Sequence, residues 1–206
     1  MINIYLAGDV LIDAGTRGDS RRVFKQIEGV DLSMLALTHV HPDHQGVAKK
    51  VCEARGIPLA CHVDDVAAME GRAPVQEAGA DKLVNKVILK MWAGPPYKVE
   101  RPLNDGDEIG EFRVVHTPGH ARGHCVFFRE RDRVAICGDV VRNMSYLTTL
   151  PGIRQPPDDF TYDPVENRRS IRKLADLNPT LLLPGHGPPI TDMRAFEQFV
   201  TALPAE

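Results

Sequence analysis

Apolar residues along this chain fall into short dense runs punctuated by glycine, proline and charge, and these runs alternate with stretches of helical spacing. Residues 2–6 and 10–13 read as two short strands around the turn Ala7-Gly8-Asp9, the second running into Asp13-Ala14-Gly15. Asp19 is placed to cap a helix reaching about Glu28, with Val23, Phe24 and Ile27 on its inner face. Met34 to Leu37 predicts a buried strand, and a histidine-rich segment follows it directly. A helix from about Gln45 to Ala54 would carry Val47, Val51 and Ala54 on one side and stop at Gly56, with a strand over Ile57–Cys61 next. Within 64–98, Leu83, Val84, Val87, Ile88, Met91 and Trp92 recur at helical spacing and predict an amphipathic helix ended by Gly94-Pro95-Pro96. Later strands are expected at 111–116, 124–129 and 133–137. Asp163-Pro164-Val165-Glu166 combines an acidic N-cap, proline at the first helical position and glutamate at the third, starting a helix to about Leu177. A strand over Thr180–Leu183 leads into Pro184-Gly185-His186-Gly187, and a last helix starts near Asp192. Groups of strands separated by helices predict a layered α/β domain with two central sheets.

Composition narrows the class without touching the chemistry. A chain of 206 residues, 43% hydrophobic and 26% charged, suits one globular domain spanning 1–206 and excludes a disordered chain. A formal charge of −3 gives no electrostatic reason to expect nucleic acid or an anionic membrane as a partner. The cluster Arg168, Arg169, Arg172 and Lys173 reads as a solvated helix face. The opening residues lack a basic segment followed by a long apolar stretch, and no apolar run approaches the ~20 residues of a membrane-spanning helix. Cys52, Cys61, Cys125 and Cys137 are widely spaced, which fits free thiols in a reducing cytoplasm better than a disulfide framework. A cytoplasmic location is therefore expected.

The chemistry is concentrated in His39-Val40-His41-Pro42-Asp43-His44, at the end of a predicted strand. In an extended segment His39 and His41 point the same way and can share one ion. Asp43 and His44, beyond the bend at Pro42, can turn toward a second. Imidazole nitrogen with carboxylate oxygen suits Zn²⁺ or another divalent transition metal, and the lack of cysteine argues against a structural thiolate site. Three further loops resemble this one: His116-Thr117-Pro118-Gly119-His120, Gly138-Asp139 and Gly185-His186-Gly187 each place a ligand-type residue just past a strand, beside glycine or proline. Four such loops meeting at one sheet edge would form a two-metal cluster.

Together, Asp13-x-Gly15, HxHxDH at 39–44, Pro-Gly-His at 118–120, Gly-Asp at 138–139 and Pro-Gly-His-Gly at 184–187 resemble the metallo-β-lactamase-fold hydrolase superfamily, over residues 2 to 190. The resemblance implies an αββα sandwich with the metals at one sheet edge. It implies His39, His41 and His120 as ligands of one ion, Asp43, His44 and His186 as ligands of the other, and Asp139 as the bridging carboxylate. Asp13, Thr38 and His124 would orient those ligands from behind. His116 and His62 are read instead as residues bonded to nearby backbone.

Two divalent ions, zinc first and iron or manganese as alternatives, would then generate hydroxide near neutral pH, with Asp43 as the catalytic residue that orients it and relays a proton. The ligand set resembles that of glyoxalase II, although only about one helix follows His186 where that family carries a glutathione-binding extension. The expected reaction is attack on an ester, thioester or lactone-type carbonyl of a small molecule. The alternative is a mononuclear iron persulfide-dioxygenase-like oxidoreductase of the same fold. Trp92, Tyr97, Tyr146, Phe160 and Tyr162 are candidate walls of the substrate pocket, with 64–98 as its variable segment, whose apolar face is equally suited to packing into the core or to a homodimer contact.

Overall fold

The inner strands of this protein are apolar on both faces, and the two-residue period sorts those side chains into different cores. A computed structural model describes residues 2–75, 87 and 90–204. The strands are β1 (Tyr5–Ala7), β2 (Val10–Ile12), β3 (Met34–Ala36), β4 (Leu59–His62), β5 (Arg101–Leu103), β6 (Glu108–Ile109), β7 (Phe112–His116), β8 (Cys125–Arg129), β9 (Val134–Gly138) and β10 (Leu181–Pro184). The helices are α1 (Ser20–Gln26), α2 (Pro42–Gln45), α3 (Ala48–Arg55), α4 (Val63–Met69), α5 (Pro164–Asp176) and α6 (Met193–Thr201).

One sheet has the order β1-β2-β3-β4-β5 and the other β10-β9-β8-β7-β6. Strands β2 to β5 run parallel, with β1 antiparallel at the edge. In the second sheet β9 and β10 are parallel and the other pairs antiparallel. Val10, Ile12, Met34 and Ala36 meet Phe112, Val114, Phe127 and Ile136 between the sheets. Their neighbours Leu11, Leu35 and Leu59 point outward onto Val23 of α1 and Val51 of α3. On the far side Val115, Val126, Ala135 and Leu182 pack on Ile171 of α5 and Phe196 of α6. Four layers result, helix, sheet, sheet, helix, which is the expected αββα sandwich.

Several elements differ from the sequence expectation. The helix expected from Gln45 starts at Ala48, and a separate turn, α2, begins at Pro42. Gly46 divides them because the chain there lies against another loop: a Cβ would sit 2.2 Å from Arg17 N, and Gly46 N donates to Gly15 O. Strands β5 and β6 were not expected, since Arg101-Pro102-Leu103 and a two-residue strand are too short to show a period. Nor was α4, whose start is capped by His62 Nδ1 accepting from Asp64 N. Of the helix expected within 64–98, Leu83, Val84 and Ile88 lie outside the described residues. Val87, Met91 and Trp92 are helical and exposed.

Candidate metal centre

Three strands of the second sheet and one of the first end at the same place. Past β3 the chain carries Thr38 and His39, then His41 in extended conformation, and Pro42 starts α2 and turns Asp43 and His44 back over the sheet edge. Past β7 comes His120, past β9 Asp139, and past β10 His186. The ring centroids of His39, His41 and His120 lie 4.5 to 4.9 Å apart. Beside them Asp43 Oδ2 is 3.1 Å from His186 Nε2, and Asp43 Oδ1 is 4.0 Å from His44 Nε2. Asp139 Oδ2 lies between the two groups, 3.8 Å from His120 Nε2, 3.6 Å from His44 Nε2 and 3.0 Å from His186 Nε2. The donor atoms of His39, His41 and His120 all lie within 4.8 Å of one another, and so do those of Asp43, His44 and His186.

Hydrogen bonding aims these rings. Asp13 accepts from Thr38 N and Thr38 Oγ1 and bonds His44 Nδ1 at 2.8 Å. Since Thr38 Oγ1 donates to Asp13, it accepts from His39 Nδ1, 3.0 Å away. Both rings thus carry a proton on Nδ1 and turn Nε2 to the centre, where its lone pair would meet a bound cation. Asp13 does this at φ 61°, a left-handed conformation costing on the order of 1 kcal/mol. His124 holds the next layer: its Nε2 accepts from Asp139 N at 3.0 Å, and its Nδ1 bonds Thr117 Oγ1. Asp13, Thr38 and His124 are therefore where orienting residues would have to be.

Two more residues belong to this layer. Thr161 Oγ1 donates to Pro157 O and faces His120 Nδ1 at 3.4 Å. Asp65, buried on α4, accepts from Val40 N at 3.2 Å and Gly123 N at 2.9 Å, tying the loop of His39 and His41 to the loop of His120. Burial pushes its carboxyl up to about 6 despite those two bonds. Sequence reasoning missed both, because neither sits in a histidine motif. The one available signal for Asp65 was an acid on the first turn of a segment directly following a strand. His62 and His116 stack at 3.8 Å, with His116 Nε2 on Arg122 O and His62 Nδ1 on Asp64 N. A ring nitrogen of each and a carboxylate oxygen of the exposed Asp64 lie within 4.8 Å of one another, and the reading of both histidines as backbone-bonded residues fits their hydrogen bonds.

Electrostatically the centre is a nest of buried charge. Burial, reinforced by neighbouring imidazoles, holds His39 and His120 well below the usual histidine range, and burial brings His41 to about 4. Burial also opposes a charge on His44 and His186, but the carboxylates outweigh it. Asp13, Asp139 and Asp43 raise His44 well above its usual range, and Asp139 and Asp43 raise His186 to about 9. Asp43 and Asp139, which burial alone would raise, are held below the carboxylate range by His44 and His186. Among the described residues, Nε2 of His39, His44 and His120 and Oδ1 of Asp139 are buried without a hydrogen-bond partner. Unpartnered nitrogen and oxygen donors converging on one point, beside carboxylates in need of positive charge, fit divalent cations.

Above the centre opens a cavity of about 420 Å³, into which His41, Asp43, His120, Asp139 and His186 project. Trp92, Tyr146 and Phe160 line it, as the sequence suggested. Tyr97 and Tyr162 do not. Tyr97 packs against the core beneath α3 and α4, its backbone N bonded to Met69 O. Tyr162 turns to a neighbouring crevice, where its hydroxyl takes a bond from Arg122. The reason is local: Tyr162 N and Asp163 N are tied to His120 O and Gly119 O, which turns the chain away from the cavity after Phe160.

A family model described as the metallo-beta-lactamase superfamily matches residues 1–186. The probable metallo-hydrolase YflN of Bacillus subtilis (strain 168) is 30% identical over 201 residues, covering 88% of this chain and 76% of its own. The probable metallo-hydrolase YqjP of the same organism is 28% identical over 221 residues, covering 93% and 69%. Among solved structures, TTHA1623 in a di-iron-bound form aligns with a TM-score of 0.69 at 29% identity, covering 92% of this chain and 89% of that one. The BLEG-1 B3 metallo-beta-lactamase aligns with a TM-score of 0.72 at 25% identity, covering 97% and 93%. The matched residues include every loop that reaches the centre, and the chain belongs to the metallo-beta-lactamase superfamily.

Proposed function

We propose that this protein is a dinuclear metal-dependent hydrolase of small molecules carrying an ester, thioester or lactone-type carbonyl. The observation that carries this reading is the pair of donor clusters sharing Asp139 at the floor of one cavity. His39, His41 and His120 would hold one ion, Asp43, His44 and His186 the other, and Asp139 would face both. Zinc is the proposed ion; the donor set also accepts iron or manganese, and TTHA1623 is described in a di-iron-bound form. Bound there, two such ions supply Lewis acidity, which ionises water near neutral pH and polarises a carbonyl.

The chain's own residues do the rest. Asp43 and Asp139 both touch His186 and line the cavity, and Asp43, with 16% of its side chain exposed against 4% for Asp139, is the more open of the two, so it can take the proton released as a water oxygen bonds to the carbonyl carbon. When the carbon–leaving-group bond breaks, the same proton passes to the leaving atom, and acid and alcohol or thiol are produced. Asp13 and Thr38 hold His44 and His39 from behind so that neither ring swings during turnover. The four cysteines are all free and buried, which supports a reducing, cytoplasmic setting. No helix among the described residues is long and apolar enough to cross a membrane.

The test is a screen of thioesters, lactones, simple esters, phosphodiesters and a β-lactam on one preparation of known metal content. We expect two ions per chain and turnover of a carbonyl ester class. Asp43→Asn, assayed with metal added until two ions per chain are bound, should lose turnover by on the order of 10² or more. One iron per chain with oxygen consumption would favour dioxygenase chemistry instead, and full turnover by metal-replete Asp43→Asn would remove Asp43 from the mechanism.

A further inference from the structure

The wall of the cavity differs in kind from its floor. Apart from the donor residues, it is lined by Ile2, Pro42, Trp92, Met144, Tyr146 and Phe160, with Thr149 the one aliphatic polar side chain. No lysine or arginine lines it among the described residues. Arg142, in the loop that carries Met144 and Tyr146, is used otherwise. Its guanidinium covers the Tyr146 ring at 4.3 Å, while Nε donates to Gln155 O and Nη1 to Met144 O. Arg142 thereby holds the loop carrying Met144 and Tyr146, and presents Tyr146 with its ring edge-on to His186 at 5.2 Å.

A wall of this composition binds by removing apolar surface from water, and among the described residues it offers no cationic side chain to a remote phosphate, carboxylate or sulfonate. Resting on the hydrolase reading above, we infer that the part of the substrate next to the scissile carbonyl is an uncharged aliphatic acyl group, held against Trp92, Met144, Tyr146 and Phe160. Polar recognition is then confined to the carbonyl at the floor, and the acyl chain sets which carbonyl compounds are taken. A cavity of about 420 Å³ lies in the small-ligand range.

Trp92 is the sole tryptophan of the chain and stands in this wall, so intrinsic fluorescence reports on the pocket directly. The metal-loaded protein is titrated with unbranched methyl ketones of increasing length, which carry the carbonyl but cannot be hydrolysed. A parallel series ends in a sulfonate. Affinity for the ketones should rise about fourfold per methylene until the cavity fills, and the sulfonate series should bind at least about tenfold more weakly. Phe160→Ala should flatten the length dependence while metal content stays unchanged. In a matched series of acyl thioesters sharing one thiol, kcat/KM should climb with length in the same way. Ketone affinity independent of length, or sulfonate-ended ligands bound as well as uncharged ones, overturns the inference. Length-dependent ketone binding without hydrolysis of any acyl compound upholds the apolar pocket and overturns the hydrolase reading instead.

Discussion

Asp65 shows what a single side chain outside the ligand set can control. Its two carboxylate oxygens accept from Gly123 N and Val40 N, one on each of the loops that bring His120, His39 and His41 together. An asparagine there has one acceptor and one donor, so in either orientation one of those N–H groups faces a donor. Asp65→Asn is expected to weaken metal binding at the His39–His41–His120 cluster about 10- to 100-fold, with helix content unchanged. Stepwise titration of metal-free protein against a chromophoric chelator reads this; an unchanged first affinity would refute the role. At this scale the seven candidate ligands were legible because strand-end motifs declare themselves in order along the chain. Thr161 and Asp65 were not, because what distinguishes them is whose backbone or ring they meet, and those partners are 25 to 58 residues away.

Two of the strand ends reach the centre only where glycine lets them. Gly185, at the end of β10, passes so close that a Cβ would lie 2.1 Å from Asp139 Oδ1 and 2.7 Å from His44 Cε1. Gly138, at φ 47°, would put a Cβ 2.7 Å from His124 Nε2. Gly185→Ala should therefore displace the carboxylate between the two clusters while leaving the sheets intact. Metal analysis after dialysis should find less than the two ions expected of the parent protein, and far-UV circular dichroism should be unchanged. Retention of both ions would show that Asp139 does not sit between them. The longer elements were readable in advance from their ends. Asp163 caps α5 by accepting from Val165 N and Glu166 N, and Asp192 caps α6 by accepting from Ala195 N. Strands β5 and β6 have no such marks, and pairing with a neighbour, not their own composition, makes them strands.

For the molecule as a whole, acid stability is set partly away from the candidate metal centre. Burial and the stacked His116 depress His62 to about 4, while Asp64, Asp105 and Asp107 oppose this. The ordinary value is 6.5, so between 6.5 and 4 the unfolded chain takes up a proton that the folded protein refuses. The stability contributed by a neutral His62 is complete above 6.5 and is lost as pH falls toward 4, a change on the order of 3 kcal/mol. His62→Asn retains an acceptor for Asp64 N and removes the titration. In metal-free protein, denaturant unfolding from pH 7 to 4 should show a shallower acid decline for this variant than for the parent, and parallel curves would refute the assignment.

Local rules in the sequence determined the layers and the donors. Strands apolar on both faces must be covered twice, and helices with one apolar face supply the outer covers. Histidine and aspartate just past strand ends, beside glycine or proline, must lie at a sheet edge. Only the tertiary structure decided which donors share a centre, that Asp139 lies between the clusters, and that Asp65 joins two of their loops. It also decided that Trp92, Tyr146 and Phe160 face the cavity while Tyr97 and Tyr162 turn elsewhere. The physical reason is distance along the chain. A strand or a cap is settled among neighbours a few residues apart, whereas His39, His120, Asp139 and His186 meet only once both sheets have packed, and an aromatic side chain takes its direction from whatever backbone is fixed beside it.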